Sequence, residues 1–180
     1  IMASGISGCT KVCAIFGCPV EHTFSPVMHT AAFAATGLNY VYVPFTVAPR
    51  SLDAAVEAIR VLGLAGVNLT VPHKEAVLPL LDELSDEADR IGAVNTIINR
   101  DGYLYGENTD GKGYLKALRE AGFAPEGRTV LFLGAGGSAR AVAVQLALAG
   151  VGKIVFANRT EARAADLARF VAGKTGVQVE

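Results

Sequence analysis

The chain has 180 residues and a formal net charge of −1 at pH 7, with 51% hydrophobic and 18% charged residues. It is long enough to bury a core and carries no field that would draw nucleic acid or an anionic membrane. No apolar run approaches the roughly 20 residues that span a bilayer, and Ile1 to Thr10 lack the charged start and long apolar stretch of a secretory signal, so a cytoplasmic globular protein is expected.

Taken in order, Lys11 to Phe16 reads as a strand that Gly17-Cys18-Pro19 ends. Ser25-Pro26 resembles an N-cap followed by proline at the first helical position, with the helix stopping at Gly37. Tyr40 to Val47 is rich in β-formers, and Ser51 to Leu62 is an amphipathic helix with Leu52, Ala55, Val56, Ile59 and Leu62 on one stripe. Gly66 to Val71 reads as a short buried strand closed by Pro72, Glu75 to Leu84 as a helix, and Val94 to Asn99 as a strand. Asp101-Gly102 turns the chain into Tyr103-Leu104-Tyr105, and Gly111 to Ala121 forms a further helix. Three cysteines, Cys9, Cys13 and Cys18, crowd at one end without downstream partners, and His22, His29 and His73 share no ligand spacing, so neither a disulfide framework nor a metal site is expected.

The pattern breaks at Gly122, Pro125 and Gly127, which puts a domain boundary there, with residues 10–121 before it, 122–180 after it and the 111–121 helix as the connection. The second unit reads as strand Thr129 to Leu133, glycine loop, helix Ser138 to Ala149, strand Lys153 to Ala157, helix Glu161 to Ala172 and a strand from Val177. Such strand–helix alternation produces a mainly parallel sheet covered by helices, and here it starts a doubly wound nucleotide fold.

Gly134-Ala135-Gly136-Gly137-Ser138-Ala139 fits G-x-G-x-x-[G/A] directly between a strand and a helix. The first glycine permits the tight turn, the second lets backbone approach a pyrophosphate, and the small Ala139 allows close helix–strand contact. The helix N-terminus offers N–H groups and partial positive charge to the phosphates. The next strand ends at Asn158-Arg159-Thr160 where an NAD site would place an acidic residue, and Arg163 follows one helical turn later. A planar guanidinium makes paired, charge-assisted hydrogen bonds to a 2′-phosphate, so NADP is favoured over NAD. A solvated helix face is the other reading of the two arginines.

In the first unit, Lys74 ends a buried strand and opens a helix, where desolvation would lower its pKa toward a value useful for proton transfer. If the polar Asn108-Thr109-Asp110-Gly111 loop folds back beside it, Lys74 and Asp110 would handle a hydroxyl proton while hydride leaves the same carbon. A surface salt bridge explains the same two residues equally well.

These motifs together resemble the shikimate/quinate dehydrogenase family. The matching pieces are Phe16-Gly17, His22-Thr23-Phe24-Ser25-Pro26, Asn68-Leu69-Thr70-Val71-Pro72-His73-Lys74-Glu75, Gly92-Ala93-Val94-Asn95-Thr96, Asn108-Thr109-Asp110-Gly111, the glycine loop and Asn158-Arg159-Thr160, spread from about Val12 to the end. No single piece is specific, whereas the set in this order is. The resemblance implies an α/β fold: an N-terminal α/β substrate-binding domain and an incomplete Rossmann-like NADP-binding domain. It implies the reversible NADP-dependent reduction of 3-dehydroshikimate to shikimate in aromatic amino-acid biosynthesis, by a monomer or homodimer. Lys74 and Asp110 match the family's catalytic pair. Thr23 and Ser25 match hydroxyls that hold the substrate carboxylate, the former usually serine, and Thr70 and Asn95 match groups that bind ring hydroxyls or carboxylate. Uncharged donors orient a small polyol without trapping it.

The family's nucleotide domain continues past the third strand and returns a helix carrying a substrate-contacting glutamine, so the chain reads as truncated at its C-terminus, with substrate binding but little turnover expected. Two alternatives stay open: a quinate/shikimate dehydrogenase with broader cofactor use, and an inactive shikimate-binding fragment. A glutamyl-tRNA reductase would need a nucleophilic cysteine, which the three cysteines near the first strand do not supply.

Overall fold

The computed structural model describes residues 5–180. In chain order the elements are β1 (Lys11–Gly17), α1 (Ser25–Thr36), β2 (Tyr40–Thr46), α2 (Leu52–Val61), β3 (Gly66–Leu69), α3 (His73–Ala76), β4 (Glu83–Leu84), α4 (Asp86–Ile91), β5 (Thr96–Arg100), β6 (Tyr103–Glu107), α5 (Asp110–Glu120), β7 (Thr129–Leu133), α6 (Gly137–Leu148), β8 (Lys153–Ala157), α7 (Glu161–Thr175) and β9 (Gln178–Val179). They group into two compact units. The first runs to Ser85 and includes Val94–Glu107, and the second comprises Asp86–Ala93 and Asn108–Glu180.

The first unit is built on a six-stranded sheet of order β2-β1-β3-β5-β6-β4. Central β1 is parallel to both neighbours, with Ala14 opposite Val43 on β2 and Val67 on β3. Its residues Ala14, Ile15 and Phe16 are all buried, as a strand covered on both faces must be. The sheet is mixed, because β5 runs antiparallel to β3 and β6 antiparallel to β5. The Asp101-Gly102 turn read from the sequence closes that hairpin, and both residues have positive φ, 53° and 93°. A two-residue turn with both central residues left-handed matches the twist of the flanking strands.

α2 buries Leu52, Val56 and Ile59, each worth roughly 1.5–3 kcal/mol of burial. Leu62, expected on the same stripe, is 70% exposed, because the helix ends at Val61 and the periodicity no longer applies beyond it. The expected helix over Glu75 to Leu84 is instead the short α3, a 3₁₀ turn at Leu78–Leu80 and the strand β4, which pairs with Tyr105 and Gly106 of β6. Pro79 supplies the reason: a proline inside a helix removes a backbone donor and clashes with the preceding turn. Asp82 then accepts hydrogen bonds from the Leu104 backbone (2.6 Å) and from Arg60 of α2 (2.7 Å), which fixes the extended course.

In the second unit, parallel β7, β8 and β9 lie in that order, and α6 and α7 follow β7 and β8 as the strand–helix alternation requires. Ala141, Val144, Leu146, Ile154, Leu167 and Val171 form its core, into which α4 places Ile91 and α5 places Leu115. α4 is not anticipated by the sequence pattern. α5, read as the connection between domains, packs within this unit, where a Cβ on Gly111 would stand 2.7 Å from the Ala141 carbonyl oxygen of α6.

Candidate active site

α1 begins at Ser25 with proline in its first turn and ends at Gly37 in the left-handed conformation, as read from the sequence. Ser25 does not cap it through its side chain. Its hydroxyl is engaged elsewhere: Thr23 Oγ1 donates to Ser25 Oγ at 3.1 Å, and the Ser25 backbone N–H donates back to Thr23 Oγ1 at 3.2 Å. On β2 the Tyr42 hydroxyl donates to Asn68 Oδ1 at 2.6 Å. Asn68 Nδ2 donates to Thr96 Oγ1 (3.0 Å), and Thr96 Oγ1 donates to Asn95 Oδ1 (2.9 Å).

The result is a Thr23–Ser25 pair and a separate row of hydrogen bonds from Tyr42 through Asn68 and Thr96 to Asn95, each member of the row donating in the same direction. Bonds aligned in this way polarise and strengthen one another. It also fixes the Asn95 amide, whose oxygen faces Thr96. Of the expected residues, Asn95 is thus held by three that carried no expected role, Tyr42, Asn68 and Thr96, while Thr23 and Ser25 hold each other. The available signal was Asn68, a carboxamide inside an otherwise apolar strand that needs a partner when partly buried. Burial pushes the Tyr42 phenol up to about 12, so it stays a neutral donor at physiological pH.

Thr70 follows β3 and packs its methyl group against Gly17, where any Cβ would collide with Thr70 Cγ2. Backbone bonds hold the same point: Thr70 N–H donates to Phe16 O (3.0 Å) and His73 N–H to Thr70 O (2.9 Å). His73 is 1% exposed and donates from Nε2 to the Val47 carbonyl at 2.8 Å, anchoring the short α3. Lys74, next to it, is half-buried, and its carbonyl accepts the Val94 N–H at 2.7 Å. The Lys74 and Asn95 backbones are thereby held one residue apart along that bond.

Asp110 belongs to the second unit, at the first turn of α5. The buried Asn108 organises its loop, donating from Nδ2 to Ala93 O (2.9 Å) and accepting the Asp110 N–H on Oδ1 (3.1 Å). The sequence motif contains Asn108 without assigning it a role; burial shows it to be the residue that sets the Asp110 backbone.

At the glycine loop, Gly134 has φ 119°, a region open to glycine, and its N–H donates to Ala157 O at 2.7 Å, tying the end of β7 to the end of β8. Gly136 caps α6, and a Cβ on Gly136 or Gly137 would meet no atom within 4 Å. The protein's own packing does not demand these glycines, whereas a ligand approaching the backbone from outside would. Beside the loop, Asn158 Nδ2 donates to Thr160 O at 2.8 Å, and Arg159, Thr160 and Arg163 are exposed. Ala135 and Ala139 are half-buried against the core while Ser138 faces solvent at the helix start. These residues fit a dinucleotide phosphate group: an open helix N-terminus, a bare backbone and two unburied guanidinium groups.

Among the described residues no cluster of three His, Cys, Asp or Glu is placed to hold a metal ion, and no helix is long and apolar enough to cross a membrane. Cys9, Cys13 and Cys18 are free, and burial raises the Cys13 thiol above its ordinary value.

The family model for the shikimate dehydrogenase substrate binding domain matches residues 15–97, and that for shikimate / quinate 5-dehydrogenase matches residues 117–179. The NADP(+) shikimate dehydrogenase of Desulforamulus reducens is 56% identical over 171 residues, covering 94% of the chain and 59% of that relative. Shikimate 5-dehydrogenase from Listeria monocytogenes, solved with shikimate and NAD, superposes with a TM-score of 0.90 at 40% identity over 97% of the chain and 62% of its own. The Thermus thermophilus enzyme, solved with NADP(H) and shikimate, gives 0.85 at 41% identity, covering 95% and 63%. The chain spans about 59% of the length of the Desulforamulus relative. With both family models matched in order and the fold shared, the chain belongs to the shikimate dehydrogenase family.

Proposed function

We propose that the chain carries the substrate-binding part and the phosphate- and adenosine-side part of an NADP-dependent shikimate dehydrogenase, which reduces 3-dehydroshikimate reversibly to shikimate. Residues 10–121 serve substrate binding and 122–180 NADP binding, a division of labour rather than of compactness. The observation that carries this reading is the hydrogen-bonded row from Tyr42 to Asn95 together with the Thr23–Ser25 hydroxyl pair, neutral hydroxyl and amide groups suited to a small polyol carboxylate.

Within it, Thr23 and Ser25 bind the substrate carboxylate, and Thr70 and Asn95 the ring hydroxyls. Lys74 and Asp110 exchange a proton with the oxygen that alternates between carbonyl and alcohol. The open N-terminus of α6 at Gly134 to Ala139 holds a pyrophosphate, and Asn158, Arg159, Thr160 and Arg163 hold the adenosine ribose and its 2′-phosphate. NADP when bound supplies the hydride.

Calorimetric titration of the chain with shikimate, with NADP and with NAD tests the reading, paired with an NADP-linked absorbance assay. Shikimate binding and a preference for NADP are expected. Turnover of quinate with NAD would favour the broader quinate/shikimate enzyme that the second family model also describes. Binding without turnover would favour a shikimate-binding fragment, and no shikimate binding rejects the proposal.

A further inference from the structure

α1 meets Tyr42 through His29, four residues after Ser25 and therefore on the same helix face, which stacks flat on the ring with centroids 4.3 Å apart and planes 7° from parallel. Phe33, four residues further, continues the stripe and packs on Tyr40 of β2 at 5.2 Å. The phenol is held from above by His29 and at its tip by Asn68, with Ile15 and Val20 against it in a small apolar cluster that Cys13 and Phe33 border.

We propose that His29 is a positioning residue of the substrate site: by stacking on Tyr42 it fixes the phenol in the orientation that donates to Asn68, and so holds the hydrogen-bonded row from Tyr42 through Asn68 and Thr96 to Asn95. The inference rests on the shikimate reading above. A tyrosine ring turns about two side-chain torsions, and its hydroxyl sits at the far end of that lever. A small rotation would therefore break the 2.6 Å bond to Asn68. A flat ring stacked face to face opposes that rotation better than a flexible aliphatic side chain does. Burial holds the His29 imidazole below its ordinary pKa, which keeps the stack neutral at physiological pH.

The test measures shikimate affinity by calorimetry in wild type, His29→Ala, His29→Phe, Tyr42→Phe and the His29→Ala/Tyr42→Phe double variant, with thermal melting to establish folding. His29→Ala should weaken binding about tenfold, and His29→Phe, which restores a flat ring, should stay within about twofold of wild type. In the Tyr42→Phe background, His29→Ala should add less than about twofold, since the hydroxyl it positions is gone. An unchanged affinity in His29→Ala, or a full additive loss in the Tyr42→Phe background, overturns the proposal. A wild-type chain that does not bind shikimate rejects the functional reading instead. The Tyr42 ζ-carbon NMR resonance then decides the positioning role by itself: displacement in His29→Ala with recovery in His29→Phe supports it, and no displacement overturns it.

Discussion

Lys74 is held through its backbone, with His73 buried on one side and its carbonyl bonded to Val94 on the other, so its side chain starts from a fixed point beside Asn95. If it moves a proton in the transition state, Lys74→Ala in a chain completed to the relatives' length should lower kcat by about 10²–10⁴-fold, with a much smaller rise in KM. Steady-state kinetics decide this, and an unchanged kcat removes Lys74 from the chemistry. Arg159 makes a prediction of a different kind. Charge-assisted hydrogen bonds contribute about 1.5–3 kcal/mol, so Arg159→Ala should weaken NADP by about ten- to a hundredfold and leave NAD nearly unchanged. Equal losses for the two cofactors would reject a 2′-phosphate contact. At this scale the sequence disclosed which residues are polar where apolar ones are expected, but not that Tyr42 reaches Asn68. That bond is made by a side chain 26 residues from Asn68 along the chain, and periodicity carries no information about such contacts.

Elements meet where small residues or paired charges allow it. α5 and α6 approach so closely that a methyl group on Gly111 has nowhere to go except into the Ala141 backbone. Gly111→Ala should therefore lower stability by about 1–3 kcal/mol despite the better helix propensity of alanine, as read by denaturant unfolding. A gain in stability would show that the two helices separate freely. Between α2 and the segment leading into β4, Asp82 accepts the Leu104 N–H and the Arg60 guanidinium, which together hold its carboxyl below the usual carboxylate range. A carboxylate depressed on folding contributes stability above its unfolded pKa and loses it as pH falls through the folded value. Wild type should thus lose stability more steeply than Asp82→Asn as pH falls below about 4, and parallel profiles would remove Asp82 as a cause. The 75–84 segment, helical by its pattern and broken in the fold, belongs to this scale too. Its leucines carry a helix-like apolar spacing, yet Pro79 and the pairing of Glu83 and Leu84 with β6 override it.

Across the whole molecule, two compact units carry the two sets of site residues, with Lys74 in one and Asp110 in the other. Ligands that bind one unit should stabilise that unit by mass action, about 2.7 kcal/mol at a concentration a hundred times Kd. Shikimate should slow amide exchange in β1, β3 and β5, and NADP should slow it at Gly134 to Ala139 and the end of β8. Protection by shikimate confined to the second unit would contradict the assignment. The sequence by itself determined the elements from β7 to β9 nearly to the residue, because strand, glycine loop and helix are local patterns fixed by neighbouring residues. It likewise determined the two ends of α1 and the Asp101-Gly102 hairpin, where proline, glycine and aspartate impose their own backbone angles. Tertiary structure decided the mixed sheet, the breakup of residues 75–84, the packing of α5 on α6 and the Tyr42–Asn68 bond with His29 stacked on the ring. Apart from the break at Pro79, each of these depends on contacts between residues far apart in the chain, whose energies exceed local preference only once the sheet has brought them together.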